Sequence, residues 1–147
     1  MSLQWSPKPV LDLAKKEFTS ETFDVNFQYP ASWQRVNDER YEGSEGFFQL
    51  SALFGTGPMD AICHDEAFHQ LMPYGSAPKI INSPNPYAQS CTIIPSIDQP
   101  SDMKGQVAFI AKYPVPIMID GLTYNYLILL ADKSHIKDIS STVLFFP

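Results

Sequence analysis

Gln106-Val107-Ala108-Phe109-Ile110-Ala111-Lys112-Tyr113 and Leu122-Thr123-Tyr124-Asn125-Tyr126-Leu127-Ile128-Leu129-Leu130 are the long β-rich stretches of this chain, and they set its expected architecture. β-branched and aromatic side chains suit a pleated, packed surface. Runs of this kind bounded by turn residues read as strands. Between them, Pro114-Val115-Pro116-Ile117-Met118-Ile119-Asp120-Gly121 reads as a connection. Proline donates nothing to a ladder, so two prolines oppose regular pairing there.

Shorter strand signals precede this pair. Residues 23–29, Phe23-Asp24-Val25-Asn26-Phe27-Gln28-Tyr29, alternate apolar and polar, the period of a half-buried strand, and Pro30 stops them. Gly43-Ser44-Glu45-Gly46 is a turn between Arg40-Tyr41-Glu42 and residues 47–54, which together read as a hairpin. Residues 79–82 and 89–94 read as strands either side of Pro84-Asn85-Pro86.

Three segments carry helical signals. Residues 9–16 allow two turns with proline at an N1-like place. Residues 59–72 place Met59, Ile62, Cys63, Ala67 and Leu71 on one stripe, closed by Pro73-Tyr74-Gly75. Near the end, Asp132 is a candidate cap for a helix with Ile136, Ile139 and Val143 at helical spacing. The expectation is an α+β fold, a mostly antiparallel sheet of about 5 to 7 strands flanked by helices. It forms a single domain, 1–147, whose residues 1–20 are an N-terminal extension with a short helix.

Composition narrows the function classes. Apolar residues make up 44% and aromatics 13% of the 147 residues, enough for a sizeable core. Lys and Arg number 10 against 16 Asp and Glu, a net charge of −6, which disfavours a general affinity for nucleic acid or anionic membranes. The uncharged run 121–131 is broken by Thr123, Tyr124, Asn125 and Tyr126 and is too short to span a bilayer. Met1-Ser2-Leu3-Gln4-Trp5-Ser6 lacks the basic start and apolar core of a secretory signal. Both a cytoplasmic protein and one whose export signal has been removed stay open on this reading.

Cys63 and Cys91 are the two cysteines. Bridged in an exported protein they would stabilise it by about 3–4 kcal/mol; in a cytoplasmic one they are small buried hydrophobes. The helix segment Cys63-His64-Asp65-Glu66-Ala67-Phe68-His69 resembles a metal site at first sight. A zincin needs His-Glu-x-x-His, and here Asp65 holds the first histidine's place. His64 and His69 diverge by roughly 140° around a helix. No metal site is therefore expected. There is no Gly-x-Ser-x-Gly elbow, no Walker segment and no Gly-x-Gly-x-x-Gly loop, so neither a catalytic constellation nor a cofactor is expected. His135, placed after Asp132, is a position where a carboxylate can hold a neutral imidazole.

Recognition falls instead to aromatic and hairpin residues. Tyr74 and Tyr87 sit in proline-bounded turns, where an apolar ring with a hydroxyl tip suits a cleft. With Arg40 and Tyr41 of the hairpin they form the expected ligand-binding set.

Phe27-Gln28-Tyr29-Pro30-Ala31-Ser32-Trp33 resembles the opening of PsbP-like domains, and residues 126–145 are similar to their last strand, polar junction and closing helix. Arg40-Tyr41-Glu42-Gly43, Gly46-Phe47-Phe48-Gln49, Pro73-Tyr74-Gly75-Ser76, Pro95-Ser96-Ile97-Asp98-Gln99-Pro100 and Tyr113-Pro114 resemble a narrower, uncharacterised family of exported or lipid-anchored proteins of Bacillus-type bacteria, sometimes found beside membrane metallopeptidases. The resemblance implies an α/β/α sandwich around an antiparallel sheet and a location outside the membrane. It supplies no catalytic residues, and the peptidase zinc motif is missing here.

The expected function is thus a non-enzymatic, extracytoplasmic binding or accessory domain at a Gram-positive cell envelope, with a protein or small-molecule partner. The alternatives are a small metal-dependent hydrolase using His64, Asp65 and His69, and a protein–protein module pairing through a strand edge at residues 40–42.

Overall fold

The computed structural model describes residues 14–82, 85 and 88–146. In chain order these give strands β1 (Lys15–Ser20), β2 (Val25–Pro30), β3 (Gln34–Asn37), β4 (Arg40–Gly43) and β5 (Gly46–Leu53), then helix α1 (Met59–Ala67). Strands β6 (Lys79–Asn82), β7 (Ser90–Ile94), β8 (Gln106–Ile119) and β9 (Leu122–Asp132) follow. Helix α2 (Ile136–Ser140) and β10 (Leu144–Phe145) close the described chain. Seven strands form one sheet in the order β3-β4-β5-β9-β8-β7-β6, and β1-β2-β10 form a second, three-stranded sheet. All pairings are antiparallel.

β8 and β9 occupy the middle of the large sheet and bury side chains on both faces. Val107, Phe109, Ala111 and Tyr113 alternate with Ala108 and Ile110, just as Leu127, Leu129 and Ala131 alternate with Tyr126 and Ile128. That double burial explains why these segments read as continuous apolar runs rather than as polar–apolar alternation.

The proline-rich connection does not end the strand. Pairing runs from Gln106↔Asp132 to Lys112↔Tyr126, shifts register, and resumes from Ile117↔Tyr124 to Ile119↔Leu122. Pro114 and Pro116 fall in the bulge, where no ladder donor is required of them. The chain reverses at Asp120-Gly121, both with positive φ (51° and 82°), as the favoured two-residue hairpin turns demand.

One face of the large sheet packs against the small sheet and α2. Phe48 is the centre of this layer: its ring lies 4.9 Å from Phe27, 5.0 Å from Phe18 and Tyr41 and 5.4 Å from Tyr29. Tyr113 donates a 2.7 Å hydrogen bond to the Phe23 carbonyl, tying the central strand to the β1–β2 turn. The other face is covered by α1, whose Cys63 and Ala67 pack with Ile93, Ile110, Tyr126 and Ile128.

These layers correct the expected α/β/α sandwich. The protein is a sheet-dominated fold, about half strand and 13% helix, with sheet packed on sheet over one face. Lys15 and Lys16, expected in a helix, begin β1, because pairing Phe18 with Phe27 buries both rings in the core. The rest of that expected helix, residues 9–13, lies outside the described residues. The middle helix stops at Ala67 instead of residue 72, and Leu71 is 69% exposed. At the C-terminal end, Val143 leaves the helix and β10 pairs with β2. The hairpin segment at residues 40–42 is not an edge, since β4 is paired with both β3 and β5; the outer strand there is β3. An interaction through residues 40–42 as an open edge is thereby ruled out.

Cys63 and Cys91 are joined in a disulfide that links α1 to β7 across 28 residues. On the loop-entropy account, replacing both cysteines by alanine lowers unfolding stability by about 3–4 kcal/mol. Urea denaturation with and without reductant checks this: the wild-type midpoint falls on reduction and that of the double variant does not move. An unchanged wild-type midpoint would contradict it.

Candidate functional site

Of the expected ligand-binding residues that are described, Arg40 and Tyr41 share β4 and Tyr74 lies in a different layer. Arg40 spends its donors locally: Nε bonds Glu42 (2.5 Å), a terminal nitrogen bonds Gln49 (2.8 Å), and the guanidinium lies 4.5 Å from the Phe47 ring centre. Tyr41 stacks on Phe48 at an interplanar angle of 12° and belongs to the layer beneath the small sheet. Tyr74 lies in the layer on the opposite face, buried beside α1, and donates a 2.7 Å hydrogen bond to Glu66. Burial, reinforced by the Glu66 charge, pushes the Tyr74 hydroxyl well above the ordinary tyrosine range. Tyr87 lies outside the described residues.

Two of the strings singled out in the sequence lock onto each other. Asp98 accepts hydrogen bonds from the Ser76 amide and hydroxyl and from the Ser96 hydroxyl, which hold its carboxyl well below the usual range. Gln99 reaches the carbonyls of Pro73 and Gln106 and accepts from the Gly105 amide. A Cβ on Gly75 (φ +85°) would stand 2.2 Å from the Ser96 hydroxyl. The choice of Gly75, Ser76, Ser96, Asp98 and Gln99 is accounted for by this joint.

Asp65, Glu66 and His69 border one concavity with Leu53, Phe54 and Ile62, and several side chains of this helix segment have local partners. Cys63 is in the disulfide, and Glu66 accepts from Tyr74. His69 Nδ1 accepts from the Leu71 amide, and the His64 ring lies on Phe68 at 4.7 Å. Among the described residues no group of three His, Cys, Asp or Glu side chains is arranged to hold a metal ion. That arrangement gives the hydrolase reading no centre at His64, Asp65 and His69.

His135 does pair with Asp132, Nδ1 to Oδ2 at 2.7 Å, while Asp132 Oδ1 accepts from the Phe47 amide at 3.0 Å. The imidazole sits edge-on to Trp33 at 4.9 Å. A Cβ on Gly46 would stand 2.1 Å from Asp132 Oδ1 and 2.7 Å from His135 Nδ1, so only glycine fits the turn. The pair clamps the β4–β5 turn to the β9–α2 junction. Among the described residues no serine hydroxyl bonds this ring, so the geometry is that of a structural joint and not of an activated nucleophile.

The surface with binding character lies elsewhere. Among the described residues, α2 and the strands β6, β7 and β8 border a gap on the face that carries the small sheet. The gap is a cleft of about 460 Å³ lined by Ile81, Ile94, Val107 and Ile136, with Asn82, Thr92 and Ser140 among them and Lys133 and Lys137 at its rim. Ile81 is 42% exposed, and its side chain is offered to whatever enters. Aliphatic walls with a few placed polar groups, at this volume, are the usual make-up of a small-molecule site. A polar concavity of about 490 Å³ beside His135, bordered by Ser32, Glu45 and Asp138, lacks those walls. Sequence reasoning missed the cleft because its walls come from β6, β7, β8 and α2. The one local signal was Lys133 and Lys137, four apart about an apolar Ile136.

The chain matches no protein-family model, no curated protein and no solved structure.

The Tyr74–Glu66 contact has a pH signature. A hydroxyl whose folded pKa is raised contributes fully below the unfolded value near 10 and loses that contribution as pH rises above it. Tyr74→Phe is expected to cost about 1.5 kcal/mol at pH 8. It also makes stability fall less steeply between pH 9.5 and 11 than in the wild type, as read from urea midpoints. Identical alkaline slopes in the two proteins would contradict the assignment.

Proposed function

We propose that this protein is a non-enzymatic binding domain that works outside the cytoplasm and takes a small apolar ligand into the cleft between α2 and the outer strands of the large sheet. The observation that carries the reading is the cleft itself, with Ile81, Ile94, Val107 and Ile136 facing one concavity. Burying such walls against a ligand contributes about 25 cal/mol per Å² of apolar surface, less the cost of ordering the ligand.

The extracytoplasmic part draws support from the disulfide between Cys63 and Cys91, because such bonds persist mainly in oxidising compartments. The same proposal includes the place at a cell envelope that the sequence resemblance to exported proteins of Bacillus-type bacteria implies. The net charge of −6 favours neither nucleic acid nor an anionic membrane as partner. No helix among the described residues is long and apolar enough to cross a membrane.

Titrating isotopically labelled, oxidised protein with octan-1-ol tests the reading. The expected result is saturable shift changes concentrated at the methyl groups of Ile81, Ile94, Val107 and Ile136, with the alcohol recovered unchanged. Shifts confined to other surfaces would overturn the cleft as the site, and chemical conversion of added ligands would overturn the non-enzymatic reading.

A further inference from the structure

We infer that the cleft is selective for a small amphipathic carboxylate, with the anion held between Lys133 and Lys137 and its hydrocarbon body along Ile81, Ile94 and Ile136. This rests on the proposed binding role of the cleft and adds the chemical class of its ligand.

The argument is one of charge placement. The chain carries ten Lys and Arg in all and a net charge of −6, so a local surplus of cations is against the trend of its surface. Arg35 pairs with Asp38, Arg40 with Glu42, and Lys104 bonds the Ile97 carbonyl, while Lys15, Lys16, Lys79 and Lys112 have no ion pair among the described residues and do not line this cleft. Neither Lys133 nor Lys137 has an ion pair with a carboxylate among the described residues, and both line the same apolar concavity.

The nearest acidic groups in sequence are directed elsewhere. Asp132 is held by the Phe47 amide and His135, and Asp138 borders the polar concavity beside Ser32 and Glu45. An incoming carboxylate thus meets two ammonium groups, and among the described residues no carboxylate lines the cleft. Two ammonium groups above aliphatic walls complement a ligand with one anionic end and one apolar end. A cleft of about 460 Å³ suits a free molecule of that kind rather than a bilayer surface.

Calorimetric and methyl-shift titrations below the micellar range, using hexanoate, octanoate, decanoate, octan-1-ol and octyltrimethylammonium, test the inference. Octanoate should bind about tenfold tighter than octan-1-ol, and the cation should bind most weakly. Each added methylene should tighten carboxylate binding by about threefold to fourfold until the cleft is filled. In the Lys133→Gln/Lys137→Gln double variant, whose substitutions lie at exposed positions, the carboxylate and the alcohol should bind alike at the alcohol's wild-type affinity.

Equal binding of octanoate and octan-1-ol to the wild type would overturn the charge selectivity and leave the apolar cleft standing. A carboxylate preference that survives in the double variant would also overturn it. Absence of any cleft methyl shift with either ligand would remove the binding role and this inference together. Cleft shifts that instead follow protein concentration would name a second copy of the chain as the occupant and overturn the inference. Binding to anionic vesicles without binding to soluble carboxylates would overturn it in favour of a lipid surface.

Discussion

β8 and β9 bury side chains on both of their faces, and the other layers of the molecule are means of keeping water from those two faces. Phe109, Ile110, Leu127 and Leu129 are completely buried, and they belong to adjacent strands. A sheet centre of this kind needs two covers. The small sheet brings Phe18, Phe27 and Tyr29 to one side through Phe48, and α1 covers the other through Cys63 and Ala67. The disulfide fixes that second cover to β7 covalently. α1 is only nine residues long, and the cross-link restricting the unfolded chain adds to the packing of Met59, Ile62 and Ala67.

The antiparallel centre was legible because apolar runs at 107–111 and 126–131 and the turn at 43–46 are local signals. The helical layers were misread for physical reasons that local patterns do not carry. Lys15 and Lys16 belong to the segment 9–16 whose pattern allows a helix, yet they enter a strand in which Phe18 stacks on Phe27 at 4.9 Å, a burial that an exposed two-turn helix lacks. Pro114 and Pro116 do interrupt pairing, but a bulge absorbs them and Asp120-Gly121 closes the hairpin six residues beyond Pro114. The bond between Cys63 and Cys91 was undecidable from spacing, since it depends on how far α1 stands from β7.

The candidate site was less legible than the fold. Tyr41 and Tyr74 looked suited to recognition and are instead packing residues on opposite faces, which is the common fate of aromatics in strand-rich proteins. Arg40 is bound up within its own hairpin. The cleft is lined by β6, β7, β8 and α2, which stand far apart in the sequence. Their meeting is a property of the assembled fold. Among the described residues the cleft's lining sets aliphatic walls beside Lys133 and Lys137, neither of which pairs with a carboxylate.

If the doubly buried strand pair is the element on which the others depend, its amides open only when the whole molecule unfolds. Native-state amide hydrogen exchange across a urea series measures this directly. The account predicts that Val107–Ala111 and Tyr126–Ala131 exchange slowest, with an opening free energy equal to that of global unfolding. It also predicts that β1, β2 and β10 exchange through smaller openings. Slower exchange in the three-stranded sheet than in β8 and β9 would contradict it.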